Sequence, residues 1–267
     1  MKLAKDAVIL VTGASQGIGF AIAEGFAKAG YRVIGVSRSL PKASYSFKAQ
    51  TMDVTKVEEI QTLFARIQQQ YQRLDVLINN AGFGIAGPLE ETPMEEAKRV
   101  FDVNVFGMLQ VSQHAIPLLK KTKGMIINIG SVASDFSLPF QTIYSMSKAS
   151  VASFTEGLRN ELRPFGIRVV NVKPGDTKSN FSTQRKVFVA PSSPYEKRVH
   201  HSVAVMEKDE KNGLPTASVY KVCRRLVNQK NPPIHVTIGL QYQVLQALRW
   251  LLPTKLVQWL LYQIYGK

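Results

Sequence analysis

The sequence predicts a doubly wound α/β domain, in which helices cover both faces of a central parallel sheet of seven strands. Short β-branched runs alternate with longer segments of helical periodicity. Several of the short runs are almost wholly apolar, which is typical of parallel strands that are covered on both sides. The 267 residues show no internal repeat and no linker, so we expect one domain spanning 1–267.

Predicted strands and helices follow one another along the chain in a regular order. The strands are Ala7–Thr12, Arg32–Ser37, Phe47–Met52, Asp75–Ile78, Met125–Ile129, Ile167–Val172 and Ile234–Ile238. The helices between them include Ile18–Ala29, Lys56–Gln70, Met94–Leu119 and Ile143–Arg163. This alternation predicts a parallel sheet with right-handed crossovers.

Two segments depart from this rhythm. Residues 181–214 are polar, contain Pro and Ser and show no clear strand, and we interpret them as a lid over the substrate. Residues 239–267 form a tail of helical character that is rich in Leu, Trp and Tyr, and Pro253 divides it into two helices.

The composition of the chain indicates which kinds of binding partner and which cellular compartment to expect. The net charge is +15, but the basic residues are dispersed and no nucleic-acid module is recognisable, so we expect no nucleic-acid partner. No spacing of His, Cys and carboxylates suggests a metal site. The lone Cys223, the lack of a signal-peptide core and the lack of a long apolar stretch predict a cytoplasmic protein.

A glycine-rich turn follows the first strand and opens the first helix. It reads Thr12-Gly13-Ala14-Ser15-Gln16-Gly17-Ile18-Gly19. Glycines at this point of a Rossmann βαβ unit let the backbone approach a pyrophosphate, which binds the free N–H groups of the helix start. The predicted cofactor contacts here are Gly13, Ser15, Gln16, Gly17, Ile18 and Gly19.

The end of the second strand indicates which dinucleotide binds. An NAD site usually carries a carboxylate about 20 residues past the glycines, where it holds the ribose hydroxyls. No acidic residue lies between Glu24 and Asp53 in this chain. Ser37 and Arg38 can instead bind a 2′-phosphate, with Lys42 adding charge, so NADP(H) is the predicted cofactor. The alternative is that Arg38 is only a solvated surface charge.

The spacing of the glycine turn, Asp53-Val54 and Asn79-Asn80-Ala81-Gly82 resembles the short-chain dehydrogenase/reductase family. The resemblance implies that Asp53 binds the adenine amino group, although it could merely cap the following helix. It also implies that the turn around Asn80 supports the sheet and lies along the cofactor. Further cofactor contacts implied by position are Val54, Asn80, Ala81, Gly82, Pro174, Gly175, Thr177 and Ser179.

Four residues are candidates for the chemistry. Tyr144 and Lys148 lie at i and i+4 on one helix face, where the lysine can help to bring the tyrosine pKa toward neutrality. Ser131 follows the strand Met125–Ile129 and can bind the substrate oxygen. With Asn104 these residues match the family's catalytic tetrad, in which the Asn holds a water that joins the Lys to a proton relay. The resemblance also places Tyr144 and Lys148 beside the cofactor.

The resemblance therefore implies an oxidoreductase that transfers a hydride between NADP(H) and a secondary alcohol/ketone or aldehyde. The chain looks most like members that act on steroids, retinoids or acyl-dihydroxyacetone phosphate, which favours a lipophilic substrate. Two alternatives stay open. One is a non-catalytic NADP(H)-binding sensor on the same fold, and the other is a family epimerase or dehydratase.

The lid and the tail leave further alternatives open. Phe181, Phe188, Val189 and Tyr195 of the lid can line a lipophilic pocket. The lid cations either form a solvated face or attract an anionic substrate; they are Arg185, Lys186, Lys197, Arg198, His200 and His201. The tail stripe of Leu256, Val257, Leu260, Leu261 and Ile264 needs a cover, which is the pocket, a second copy in a homo-oligomer, or a membrane contacted peripherally.

Overall fold

The computed structural model describes residues 3–40, 44–179 and 181–267. In these ranges the strands are β1 (Val8–Thr12), β2 (Arg32–Ser37), β3 (Lys48–Thr51), β4 (Val76–Asn79), β5 (Ile85–Ala86), β6 (Met125–Ile129), β7 (Arg168–Pro174), β8 (Thr177–Lys178), β9 (Lys186–Val187), β10 (Leu214–Pro215) and β11 (His235–Ile238). Seven of them form one parallel sheet in the order β11-β7-β6-β4-β1-β2-β3. These are the seven strands that the sequence predicts, so the predicted fold is confirmed.

The helices of the described ranges lie between these strands. They are α1 (Gly17–Lys28), α2 (Val57–Tyr71), α3 (Met94–Phe101), α4 (Met108–Thr122), α5 (Thr142–Leu162), α6 (Phe181–Gln184), α7 (Glu196–Asn212), α8 (Ala217–Val227), α9 (Leu240–Leu251) and α10 (Thr254–Leu261). The predicted helix Met94–Leu119 is a single helical run that a π-helical turn, Asp102–Gly107, divides into α3 and α4.

Alternate residues of β1 build two apolar cores, one on each face of the sheet. Val8 and Leu10 contribute to the core that α2, α4 and α5 cover. Ile9 and Val11 contribute to the opposite core, which α1 and α8 cover. Successive side chains of a strand point to opposite faces, so an uninterrupted apolar strand needs helices on both sides. The strand composition thus explains the doubly wound arrangement.

The strand order reverses direction at β1. From β1 the sheet grows through β2 and β3 on one side and through β4, β6, β7 and β11 on the other. Connections that leave in opposite directions open a crevice at the carboxyl ends of the strands, where ligands of such sheets bind. The residues that follow β1, β4, β6 and β7 therefore meet at one place.

The lid segment, 181–214, is more regular than its sequence indicates. It contains α6, the short strand β9 and the 17-residue helix α7. Only Val199, Ser202 and Met206 of α7 are buried, so its apolar stripe is narrow and most of its surface is charged. A helix with so few apolar positions gives a weak periodic signal. This is why the segment departs from the strand–helix rhythm of the sequence.

The tail, 239–267, folds as α9 and α10, and Pro253 caps the start of the second helix. A π-helical turn, Tyr262–Gly266, follows α10 and packs against α7 of the lid. The backbone carbonyl of Gly266 accepts a hydrogen bond from Arg198 Nε at 2.6 Å. The lid and the tail are therefore in direct contact, and each helps to fix the position of the other. No helix in the described ranges is both long and apolar enough to span a bilayer.

Candidate active site

A cavity of about 590 Å³ opens at the carboxyl ends of the strands. The residues of the predicted site that line it are Gly13, Ser15, Gln16, Gly17, Ile18, Ser37, Arg38, Asp53, Val54, Asn80, Ala81, Gly82, Ser131, Tyr144, Lys148, Pro174, Gly175, Thr177 and Ser179. Gly19 and Asn104 are the two predicted site residues that do not line it. The sequence prediction therefore selects residues that the fold brings to one place.

The glycine turn has the backbone geometry of a phosphate cradle. Gly13 and Gly17 have φ values of +66° and +58°, a region that favours glycine. A Cβ at Gly19 would lie 2.2 Å from the carbonyl oxygen of Gly13, so the close packing of the turn requires a glycine here. The first turn of α1 carries no acidic residue that would repel an anion. These residues fit a dinucleotide pyrophosphate.

The turn after β4 braces the glycine turn through side-chain hydrogen bonds. The amide nitrogen of Asn80 donates to the carbonyl oxygens of Thr12 and Gly13 at 3.0 and 3.1 Å. The Thr12 hydroxyl in turn accepts from the backbone N–H groups of Asn80 and Ala81, both at 3.0 Å. Asn80 thus connects the ends of β1 and β4, and it also faces the cavity.

At the adenosine end, Ser37 and Ser15 lie side by side, and the Ser37 hydroxyl donates to that of Ser15 at 3.0 Å. Arg38 is exposed at the rim of the cavity, and Lys42 lies outside the described residues. Asp53 Oδ1 accepts from the backbone N–H and the hydroxyl of Thr55 at 2.9 and 2.8 Å. Asp53 therefore orders the turn before α2 and lines the cavity, but it does not cap α2, whose N-cap residue is Lys56 and has no side-chain cap hydrogen bond.

The Tyr144 side chain is buried and lines the cavity together with Ser131. Its hydroxyl interacts with that of Ser131, which accepts from the Ala133 N–H at 3.1 Å and so caps a short 3₁₀ helix. Burial raises the pKa of Tyr144 to about 12, against the lowering effects of Ser131 and the Arg185 charge. The sequence led us to expect a lowered tyrosine pKa, and in this structure burial reverses the direction.

Lys148 is also buried, one helical turn after Tyr144. Its Nζ lies 5.8 Å from the centroid of the Tyr144 ring and donates to the carbonyl oxygen of Ile129 at 2.9 Å. Burial lowers the pKa of Lys148 to about 8, because the charged ammonium is removed from water. A lysine that titrates near neutrality is a weaker electrostatic partner for a phenolate, but it can give up and regain a proton.

Asn104 lies in the π-helical turn between α3 and α4, one of the irregularities that often mark functional sites. Its amide binds both backbone groups of Phe83, at 3.0 and 2.9 Å, and donates to the Ser147 hydroxyl at 3.0 Å. Asn104 and Lys148 also line a small cavity of about 10 Å³ behind the main one. That volume is at the lower limit for one water molecule, which is what the family relay requires at this position.

The turn after β7 lines a further part of the cavity. Thr177 is buried and its hydroxyl donates to the carbonyl oxygen of Gly175 at 3.0 Å. The Ser179 hydroxyl accepts from the Phe181 N–H at 3.3 Å. A Cβ at Gly17 would lie 3.6 Å from the Ser179 Cβ, so the start of the lid faces the glycine turn. Both hydroxyls line the cavity, as the sequence predicts.

Lid and tail form the remaining walls of the cavity. From the lid, Phe181 and Arg185 line it, whereas Phe188, Val189 and Tyr195 do not, so the predicted aromatic lining was only partly right. From the tail come mainly aliphatic residues, namely Leu245, Leu248, Leu252, Val257, Leu260, Leu261 and Ile264. Four of the five residues in the predicted tail stripe therefore face the pocket, and the fifth, Leu256, does not.

Sequence reasoning missed a polar cluster in the same walls, formed by Asp176, Glu210, Tyr242 and Tyr265. The Tyr242 hydroxyl donates to the Asp176 carboxylate, and burial raises the pKa of both Asp176 and Glu210. These residues come from four separate elements. Only Asp176, which directly follows the Pro174-Gly175 motif, carried a signal that could have found it.

A comparison with family models places the chemistry in a known class. Residues 7–187 match the model described as short chain dehydrogenase. The chain belongs to the short-chain dehydrogenase family. It is therefore an oxidoreductase with a nucleotide-binding Rossmann fold, and the family's cofactor is NAD(H) or NADP(H). No group of three or more His, Cys, Asp or Glu within the described ranges is placed to hold a metal ion.

Three relatives within the family are similar over nearly their whole length. A 3-ketodihydrosphingosine reductase of Bacteroides thetaiotaomicron is 33% identical over 264 residues, covering 97% of this chain and 98% of the relative. The NADPH-dependent 1-acyldihydroxyacetone phosphate reductase of Saccharomyces cerevisiae is 31% identical, covering 94% and 88%. A short-chain dehydrogenase from Streptomyces avermitilis superposes with a TM-score of 0.78 at 30% identity, covering 92% and 93% of the two chains.

Proposed function

We propose that this protein is an NADP(H)-dependent reductase of lipophilic ketones or aldehydes, interconverting them with the alcohols. One observation carries the proposal. The Ser131–Tyr144–Lys148 group lies in a single cavity that has the glycine turn at one end and the aliphatic residues of the tail at the other. A hydride donor bound on the turn and a carbonyl bound under the tail would both be next to Tyr144.

The reduced nicotinamide, when bound, supplies the hydride. The Tyr144 hydroxyl gives its proton to the carbonyl oxygen, which becomes the alcohol oxygen. The Ser131 hydroxyl, which interacts with Tyr144, stabilises the negative charge that develops on that oxygen. Lys148, whose pKa burial lowers to about 8, can return a proton to Tyr144 at neutral pH.

The state of Tyr144 favours carbonyl reduction over alcohol oxidation at neutral pH. Reduction needs the tyrosine as an acid, and a pKa raised to about 12 by burial keeps the phenol protonated. Oxidation needs the phenolate as a base, which burial disfavours. We therefore propose reduction as the working direction.

The preference for NADP(H) is supported by the end of β2. Ser37 and Arg38 line the cavity there, and the sequence offers no carboxylate between Glu24 and Asp53 to bind ribose hydroxyls. Arg38 is exposed and can swing onto a 2′-phosphate. The yeast relative is named as NADPH-dependent, which agrees with this assignment.

A long acyl or alkyl chain is the substrate part that fits the tail. The wall formed by α9 and α10 is aliphatic, and apolar walls of this kind select substrates by burying methylene groups. Two similar proteins are named as reductases of 3-ketodihydrosphingosine and of 1-acyldihydroxyacetone phosphate. We therefore place the reacting ketone near the polar end of a long-chain compound.

The proposal is tested by following NADPH oxidation with methyl ketones of increasing chain length, in parallel with NADH. We expect turnover with NADPH, a kcat/KM that rises with chain length, and much slower turnover with NADH. Cofactor binding without turnover of any ketone would indicate a sensor. Substrate conversion without net cofactor oxidation would indicate an epimerase or dehydratase, and either result overturns the proposal.

We further infer that the outer face of the tail contacts an anionic membrane surface. Trp250, Leu251 and Leu240 are 86%, 79% and 77% exposed, and Trp259 is 56% exposed. Lys255 and Lys267 lie exposed on the same two-helix segment, and the net charge of the protein is +15. Exposed aromatic and aliphatic residues next to cations are typical of interfacial helices that bind anionic bilayers.

Sedimentation with vesicles tests this contact. We expect binding to phosphatidylcholine vesicles that contain phosphatidylglycerol, and a clear loss of binding in the double variant Trp250→Ser/Leu251→Ser. Leu89→Ser, which changes an exposed leucine elsewhere, is the matched control and should bind normally. If vesicles do not bind, and the double variant instead changes the oligomer size in solution, the outer face packs against a second copy and the inference is wrong.

A further inference from the structure

A buried arginine lies in the substrate half of the cavity, outside the catalytic tetrad. The Arg185 side chain is 1% exposed and belongs to the lid segment after α6. Its Cζ lies 5.7 Å from the centroid of the Phe181 ring, and that ring lies 5.4 Å from the ring of Tyr144. The Arg185 charge partly opposes the rise that burial causes in the pKa of Tyr144. The guanidinium therefore lies on the Phe181 side of Tyr144, and Arg185 lines the same cavity.

Only one of the three guanidinium nitrogens has a hydrogen-bond partner among the described residues. Nη2 donates to the carboxylate of Glu210 on α7. Nε and Nη1 are buried, and neither has a hydrogen-bond acceptor among the residues that the structure describes. A buried donor without an acceptor is strongly destabilising, and a charged one more so. Such groups are typically retained where a ligand supplies the acceptor.

The charges around Arg185 restrict what that acceptor can be. Glu210 already neutralises the guanidinium, and Asp176 contributes a second carboxylate to the same wall. Asp209 lies behind them, where its carboxylate accepts from the Tyr265 hydroxyl at 3.2 Å. This part of the cavity therefore carries more carboxylates than guanidinium groups, so a phosphate or a carboxylate would be repelled. An uncharged oxygen faces no such repulsion.

We propose that Arg185 binds a second, uncharged oxygen of the substrate, a hydroxyl group one or two carbons from the reacting carbonyl, through Nε and Nη1. The substrates are then hydroxyketones with a long apolar chain. The chain lies along the tail, the carbonyl lies at Tyr144, and the hydroxyl lies at Arg185. This assignment deepens the proposed reductase function and rests on it.

Matched ketones test the assignment without knowledge of the natural substrate. The probes are 1-hydroxydecan-2-one and 1-hydroxydecan-3-one, compared with decan-2-one and decan-3-one, and 2-oxodecanoate serves as an anionic analogue. With NADPH we expect at least one hydroxyketone to have a kcat/KM about 10- to 100-fold above that of its plain ketone, mainly through KM. The anionic analogue should be the poorest substrate.

Arg185→Met should remove the advantage of the hydroxyketone, so that the ratio of kcat/KM for the hydroxyketone over its plain ketone falls to about one. Because this change removes the cation that pairs with the Glu210 carboxylate, the double variant Arg185→Met/Glu210→Gln is the second test. It should show the same loss of preference for hydroxyketones as the single variant. Lys186→Met is the control, since it removes the adjacent lid cation, which is exposed and pairs with Glu96 away from the cavity. The Lys186→Met variant should keep the preference for hydroxyketones over plain ketones.

A binding measurement gives a readout that is independent of turnover. Calorimetry on the NADPH-loaded protein should show decane-1,3-diol or decane-1,2-diol binding more tightly than decan-3-ol or decan-2-ol, and Arg185→Met should remove the difference. If plain ketones are reduced but hydroxyketones are no better, the inference about Arg185 is wrong while the reductase function stands. Preference for 2-oxodecanoate would instead make Arg185 an anion site. If no ketone is reduced, the proposed function itself fails.

Discussion

The two halves of the cavity are built in different ways. The cofactor half consists of turns that follow β1, β2, β4 and β7, and their groups bind one another through short hydrogen bonds such as those from Asn80 to Thr12 and Gly13. The substrate half consists of the lid and the tail, which meet through side-chain contacts such as those of Arg198 with Gly266 and of Asp209 with Tyr265. It also contains Arg185 with two unbound donors.

The difference indicates that the sheet fixes the geometry of the cofactor half, whereas a bound ligand influences the geometry of the substrate half. Strand ends are fixed by ladder pairing, so the cofactor half is preorganised by backbone geometry. The substrate half contains buried polar groups without hydrogen-bond partners and exposed apolar residues. Such groups are expected on a surface that adjusts its conformation when substrate binds. Variants in the two halves should therefore separate cofactor binding from substrate binding.

The largest effect is expected at the junction of the halves. Tyr144→Phe removes the proton donor and keeps the ring, so ketone turnover should fall about 100- to 10,000-fold while the Kd for NADPH stays unchanged. Steady-state kinetics and fluorescence titration of NADPH measure the two quantities. Tyr195→Phe removes a lid hydroxyl outside the cavity and should leave turnover normal. Near-normal reduction by the Tyr144 variant would exclude this residue as the acid.

A change in the cofactor half should alter coenzyme choice alone. Arg38→Asp replaces attraction for a 2′-phosphate by repulsion, so the ratio of kcat/KM for NADPH over NADH should fall about 100-fold. The KM for the ketone should not change. Arg66→Asp makes the same charge change on the exposed face of α2 and is the control. Equal use of both coenzymes by the unmodified protein would contradict the assignment of Arg38.

A change in the substrate half should alter the kinetics with long-chain ketones and leave NADPH binding unchanged. Leu261→Ser/Ile264→Ser replaces two apolar residues of the cavity wall, and kcat/KM should fall roughly fourfold for each methylene of a long-chain ketone that loses its apolar contact. Short ketones and NADPH binding should be little affected. The control is Leu251→Ser, an exposed residue that does not line the cavity. A loss of NADPH affinity in the double variant would show that the halves are not independent.

The smallest effect is the pH dependence of reduction. Burial lowers the pKa of Lys148 to about 8, so its protonated form predominates below that pH and is lost above it. If protonated Lys148 resupplies Tyr144, kcat for reduction should fall about tenfold from about pH 7 to about pH 9. Tyr144 stays protonated over this range, because its own pKa is about 12. Lys148→Arg, which stays charged, should flatten the profile, and a flat profile in the parent protein would contradict a role for Lys148 in resupply.

Much of the cofactor half could be predicted from the sequence, because each of its features is local. Gly13 and Gly17 mark a backbone that needs positive φ, and strand composition fixes where the turns lie. Parallel order then brings the carboxyl ends of β1, β4, β6 and β7 together without any knowledge of side-chain packing. The resemblance to the family extended this prediction to single residues as far along the chain as Ser179.

Other features depended on tertiary packing. The sequence placed Tyr144 and Lys148 on one helix face, but only burial decided that the tyrosine pKa rises and the lysine pKa falls. The pairing of Arg185 with Glu210 joins the lid loop to α7, and their separation of 25 residues obeys no helical or strand period. Desolvation and long-range pairing depend on what surrounds a side chain in three dimensions, which the order of residues along the chain does not encode locally.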